Sequence, residues 1–166
     1  GRSLARLEGC GGGGLQRCLG TAAGDDLAVP RFLRAGDRPP TPGYTLCNLP
    51  YGVFRPRTGS DRSARVGTRV GDTVLDLRRL SEHGLLPDAL RARDLGPFLE
   101  AGRELWAEVR EALQSRLLSE GSPRSLAHAP SVLSEAALGA EDVEMLMPVD
   151  VRGFTDFYAS PYHARW

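Results

Sequence analysis

The sequence predicts a mainly β domain with accompanying helices, and three observations predict it. Val66, Thr68 and Val70 alternate in "RVGTRVGDTVLDL", where Gly71-Asp72 separates them from a second run led by Val74 and Leu75. "YTLCNLPYGVF" and "EMLMPVDVRGF" carry the aromatic and β-branched residues that fit a pleated, half-buried surface. Between them, "GPFLEAGRELWAEVREALQSRLLSEG" repeats apolar residues at helical spacing.

Taken in order, residues 1–43 hold a glycine run at Gly11–Gly14 and a Pro-rich exit, "DRPPTPG". Their apolar residues follow no period. Such a segment does not offset the entropy of ordering itself, so it is expected to be disordered or artefactual. From Tyr44 the texture changes. The rigid ring of Pro50 predicts an extended segment that turns at "LPYG". Arg65–Leu77 reads as a hairpin, because glycine at the first central position is what a type II′ turn requires. Residues 80–96, with Pro87, read as loop with a helical turn.

The long helix presents Phe98, Leu105, Val109, Ala112, Leu113 and Leu117 on one face. Pro97 suits its first turn and Gly121 its stop. A shorter helix is expected in "SVLSEAALGAEDV", capped by Ser131 or Ser134 and interrupted at Gly139. Strand-like residues then return, with Pro148 as a boundary.

Composition narrows function. The 166 residues carry 21 basic and 21 acidic side chains, and every basic residue is arginine. With no net field and no basic stripe, neither nucleic acid nor a membrane surface is an expected partner. No apolar run approaches the ~20 residues that span a bilayer. The start lacks both a signal-peptide pattern and a methionine, so the chain is expected to be incomplete there. Cys10, Cys18 and Cys47 form no C-x-x-C pair, which points to a reducing, cytoplasmic setting. His83, His128 and His163 are too scattered for a self-contained zinc site. The glycine run is no phosphate loop, because the chain contains no lysine to follow it.

The candidate chemistry lies in "GFTDFYASPYHARW". The carboxylate of Asp156 suits a hard divalent cation, and the imidazole of His163 suits a general base. A base needs an orienting partner on its other nitrogen, and a cation needs several more oxygens. Ser160, His163 and Asp156 also admit a nucleophilic arrangement, although no G-x-S-x-G elbow accompanies them. On spacing alone these alternatives stay open beside purely structural roles.

"NLPYGVF" (Asn48–Phe54), "RVGTRVGDTVLDL" (Arg65–Leu77) and "TDFYASPYHA" (Thr155–Ala164), in that order, resemble the fumarylacetoacetase family. The resemblance covers about residues 44–164 and includes the helix bearing Trp106. It implies a small SH3-like barrel over 44–147, followed at 148–166 by the first strand of a mixed β-roll catalytic domain. It implies a hydrolase that cleaves a C–C bond of 4-fumarylacetoacetate to fumarate and acetoacetate, in tyrosine and phenylalanine breakdown. Ca²⁺ or Mg²⁺ is the implied cofactor, and full-length relatives are implied to be homodimers.

Carried over by position, Asp156 is the implied metal carboxylate, Tyr158 the substrate contact and His163 the catalytic base that activates water. After Ala164 the family continues with a Thr/Asn-Gly segment and a substrate-binding arginine, where this chain reads "RW". An incomplete chain that is catalytically silent alone is therefore expected. The competing reading is a non-catalytic interaction or stabilising domain.

Overall fold

Alternation of Val66, Thr68 and Val70 builds the middle of a sheet. In a computed structural model, which describes residues 30–33, 41–118 and 123–165, the hairpin pairs β2 (Arg65–Val70) with β3 (Thr73–Asp76). Thr68 faces Leu75 and Val70 faces Thr73. Gly71 takes φ +60° at the turn, the left-handed value that favours glycine there.

β1 (Tyr51–Pro56) lies against the other side of β2, in antiparallel register with Val53 opposite Val66. The expected extension from Tyr44 and turn at "LPYG" are displaced. Turns fall instead at Pro42-Gly43 and Leu46-Cys47, and "LPYG" runs straight into the strand. The Asn48 N–H donates back to Thr45, and Pro50 has no N–H to give a ladder, so pairing starts at Tyr51.

The sheet order is β4-β3-β2-β1-β5, with β4 at Ala137–Gly139 and β5 at Val143–Leu146. These edge strands are consecutive in the chain, joined only by a single 3₁₀ turn at Ala140–Asp142. In a flat sheet of strands ~4.8 Å apart the two edges would lie ~19 Å from each other. Gly139 and Val143 are four Cα steps apart, at most ~15 Å when fully extended. The sheet therefore curls into a half-barrel. The turn is fastened on both sides: Ala140 N–H donates to the Asp72 carbonyl, and Arg57 N–H to that of Asp142.

Among the described residues four helices pack on the convex face: α1 (Leu77–Glu82), α2 (Gly96–Glu100), α3 (Gly102–Leu118) and α4 (Pro130–Ala136). The helix expected over 96–121 is two helices. Gly102, the first residue of α3, adopts φ +83°, left-handed backbone that a continuous helix does not accommodate, so α2 and α3 are separate. Trp106 Nε1 donates to the Phe98 carbonyl at 2.7 Å and ties the two together. The apolar face holds: Phe98, Val109, Leu113 and Leu117 are buried, with Leu105 and Ala112 half-buried. The predicted stop at Gly121 lies outside the described residues.

α1 begins at the last residue of the expected hairpin and runs into the stretch read as loop with a helical turn. Asp76 ends β3 and caps the helix, its Oδ1 accepting the Arg79 N–H at 3.1 Å. The expected helical turn is the 3₁₀ turn at Asp88–Arg91. α4 begins at Pro130 with no side-chain cap, so Ser131 and Ser134 do not serve as caps. It yields to β4 after Ala136, because Ala137 and Leu138 pair with Leu75 and Val74; Gly139 thus lies in a strand.

Two cores result. The larger lies between sheet and helices, around Val53, Val66, Leu75, Leu80, Leu113 and Leu117. The smaller fills the half-barrel with Phe54, Val74 and Val143. Alternation along β1 and β3 sends Val53 and Leu75 to one core and Phe54 and Val74 to the other. Of residues 1–43, most lie outside the described ones. Among the described ones, Phe32 packs against the larger core, Leu33 is buried in it, and the Leu33 carbonyl accepts from Thr73 Oγ1.

Candidate functional site

Asp156, Tyr158 and His163 lie on the segment that leaves the domain. The Pro148 carbonyl accepts from Leu95 N–H, and Val149 packs on the larger core. Beyond them, described residues 150–165 form no strand, in contrast to the catalytic-domain strand expected there. A strand needs a neighbour to take its N–H and C=O groups. Here the local hydrogen bonds close a turn instead. Ser160 Oγ accepts the Tyr162 N–H, and the Ser160 carbonyl accepts the Ala164 N–H, leading into a 3₁₀ turn at His163–Arg165.

That turn folds His163 back to Tyr158, with ring centroids 5.3 Å apart and planes tilted by 54°. Tyr158 and His163 are therefore brought together. All three side chains are exposed. Ser160 Oγ is engaged in the turn as the acceptor of the Tyr162 N–H. Among the described residues no three His, Cys, Asp or Glu side chains gather into a metal-binding group. One exposed carboxylate offers at most two oxygens where Ca²⁺ takes about 6–8.

Comparison with known proteins fixes the family. The fumarylacetoacetase N-terminal family model matches residues 47–148. The chain belongs to the fumarylacetoacetase N-terminal family. It is 38% identical over 131 residues to the fumarylacetoacetase of Arabidopsis thaliana, covering 74% of this chain and 30% of that one. It is 36% identical to that of Dictyostelium discoideum, covering 73% and 29%. With the human fumarylacetoacetase it shares 33% identity over the same two fractions. The chain thus spans about 30% of the length of the curated relatives it matches. The bounds of the fumarylacetoacetase N-terminal match enclose the whole sheet, from β1 to β5.

Sequence reasoning missed the charged pair that this fumarylacetoacetase N-terminal fold buries. Arg65 Nη1 meets Asp76 Oδ2 at 2.8 Å, and both side chains are almost fully enclosed. The guanidinium also reaches Asp61, at its carboxylate (2.7 Å) and its carbonyl (2.8 Å). Burial pushes the Asp76 carboxyl up, against the hydrogen bonds from Arg65 and the Arg79 N–H. An aspartate just before "LRRL" was the available signal, as a helix cap.

Other carboxylates shift the opposite way. Hydrogen bonding from Ser63 lowers Asp61 to about 2. Arg55 lowers Glu144, and at Glu82 the burial penalty, the largest single cause, is outweighed by the combined hydrogen bonds and charges of Arg78 and Arg79. A carboxylate lowered in the folded state stabilises it above the unfolded value near ~4 and loses that contribution as pH falls through the folded value. Asp76 contributes with the opposite sign: its raised value favours folding at low pH and is lost as pH rises through it. With three groups against one, the thermal midpoint is expected to be lower at about pH 3 than at about pH 6. Circular dichroism melts at the two values check this, and an equal or higher midpoint in acid would refute it. Among the described residues no helix is long and apolar enough to cross a membrane.

Proposed function

We propose that this chain is the N-terminal part of a fumarylacetoacetase, the domain that carries the opening of a C–C hydrolase site on its exit segment. The family match over 47–148, directly followed by Asp156, Tyr158 and His163 in unbroken spacing, is the observation that carries the reading. The five-stranded half-barrel with a 3₁₀ turn joining its edge strands supports an SH3-like description of the domain. The substrate is 4-fumarylacetoacetate, and the products are fumarate and acetoacetate, in tyrosine and phenylalanine catabolism. Three cysteines without C-x-x-C spacing support a cytoplasmic setting. The assembled enzyme is proposed to be a homodimer.

In this reading His163 takes a proton from the attacking water and Tyr158 contacts the substrate. Asp156 is one carboxylate of a Ca²⁺ or Mg²⁺ site whose other ligands the described residues do not provide. The 166-residue chain alone is therefore expected to be inactive and to show no saturable Ca²⁺ uptake by calorimetry up to millimolar metal; tight binding would mean that it holds a complete ligand set.

The decisive assay joins this chain to the remaining portion of the Arabidopsis thaliana relative and follows loss of 4-fumarylacetoacetate. Hydrolysis is expected, and His163→Ala is expected to lower kcat by about 10²–10⁴-fold. Unchanged turnover in that variant would remove His163 from the mechanism. A second reading, a stabilising domain without catalytic residues, draws on the exposure of all three candidates outside the packed cores. It predicts full activity in the joined Asp156→Ala and His163→Ala variants alike.

A further inference from the structure

The fumarylacetoacetase N-terminal match begins at residue 47, yet the chain is fastened to the domain before it. Leu33, Leu46 and Leu49 are buried in the larger core, and the Leu33 carbonyl accepts from Thr73 Oγ1 of β3 at 2.9 Å. Residues 41–49 form neither strand nor helix, so their carbonyls need other donors. From α3, Gln114 Nε2 donates to the Leu46 carbonyl at 3.1 Å and Arg110 Nη2 to that of Cys47. These residues therefore cross from the β2–β3 turn to α3 as a strap.

At its far end the strap grips that turn. Gly71 N–H donates to the Tyr44 carbonyl at 2.7 Å, and Thr41 Oγ1 donates to Asp72 Oδ1. Arg69 completes the group. Its guanidinium carbon lies 3.9 Å from the centre of the Tyr44 ring, a cation set over an aromatic face. Its Nε donates to the Gly71 carbonyl at 2.8 Å, and its Nη2 meets Asp72 Oδ1 at 3.3 Å.

Asp72 faces two ways. Its carboxylate is taken by Thr41 and Arg69, while its carbonyl accepts the Ala140 N–H at 2.8 Å. That second bond fastens one side of the Ala140–Asp142 turn, which joins the edge strands β4 and β5 and so curls the sheet. Ala140 itself packs on the smaller core. Ordering Asp72 through its side chain lowers the entropic cost of keeping its carbonyl aimed at Ala140.

We infer that the strap is a conformational lock on the half-barrel, in which Thr41 and Tyr44, through Asp72 and Arg69, hold the closing turn at Ala140 in place. Releasing them loosens the half-barrel at that turn while the larger core stays packed, because Leu46 and Leu49 anchor the strap separately.

Amide hydrogen exchange of the full 166-residue chain, read residue by residue by NMR, tests this. Thr41→Val is expected to speed exchange at Ala140 by about 10–100-fold, the range for losing a hydrogen bond to a charged group. Tyr44→Leu is expected to speed it by about two- to five-fold, as loss of a half-exposed cation–π contact does. Amides of β2, the central strand, are expected to keep the parent rate in both. Thr41→Ser and Tyr44→Phe retain the hydroxyl and the ring and are expected to match the parent.

Unchanged exchange at Ala140 in Thr41→Val overturns the inference. So does equal acceleration at Ala140 and along β2, which marks a general loss of stability and no local release. Exchange in Thr41→Ser as fast as in Thr41→Val also overturns it, since the hydroxyl would then not be the fastening.

Discussion

Asp76→Ala is expected to destabilise the domain by roughly 3–5 kcal/mol, because it removes the enclosed partner of the buried Arg65 guanidinium and leaves it only the half-exposed Asp61. That is a large share of the ~5–15 kcal/mol by which a domain of this kind stays folded. Two further losses follow from the same side chain. The Arg79 N–H at the start of α1 loses its acceptor, and β3 loses its connection through Arg65 to the Asp61 loop. Arg65 Nη2 keeps the Asp61 carboxylate and carbonyl, but Nε already lacks a hydrogen-bond partner, so the loss of Asp76 leaves Nη1 as a second enclosed donor to satisfy.

The pair itself contributes less than its removal suggests, since both charges lose their hydration on folding. Arg65→Met combined with Asp76→Leu is therefore expected to recover most of the loss. Urea midpoints of the two single variants and the double variant close the cycle. A double variant as unstable as the sum of the singles would mean that the two residues act independently.

Phe54→Ala is expected to cost about 3–5 kcal/mol, the range for removing a buried aromatic side chain. Phe54 is the one large residue among the three that fill the half-barrel, and Val74 and Val143 are too short to close the space behind it. The ring lies over Gly67 of β2, where a Cβ would come within 2.6 Å of Phe54 Cε1 and 3.0 Å of the Leu75 carbonyl oxygen. Gly67→Ala is accordingly expected to destabilise by about 1–3 kcal/mol through overpacking. The flexible part of that clash is with the ring and the rigid part is with the backbone. Phe54→Leu with Gly67→Ala should thus cost less than the two changes added, yet more than nothing. Chemical denaturation measures all four proteins, and strict additivity would show that ring and glycine do not share the space.

These two sites show what periodicity reveals and what it leaves hidden. The hairpin and the apolar face of α3 were legible, because alternation at Val66, Thr68 and Val70 and helical spacing at Val109, Leu113 and Leu117 are properties of neighbouring residues. β4 was not, since three residues of "ALG" become a strand only by pairing with β3, more than sixty positions earlier. The break at Gly102 was written in the sequence as a glycine, but a lone glycine inside a helical pattern is usually tolerated. Its left-handed backbone follows from α2 and α3 each needing to lay an apolar side on the same core.

The candidate site divides the same way. By itself, the sequence determined the family, the strand-forming centre of the sheet and the order Asp156, Tyr158, His163, because those depend on residue types at fixed local spacing. Only the tertiary structure decided that Arg65 and Asp76 meet in the interior, that the edge strands close into a half-barrel, and that the three candidate residues stand exposed beyond the domain. Each of these is a contact between distant positions, or the want of one, and burial arises from what the rest of the chain brings to a residue.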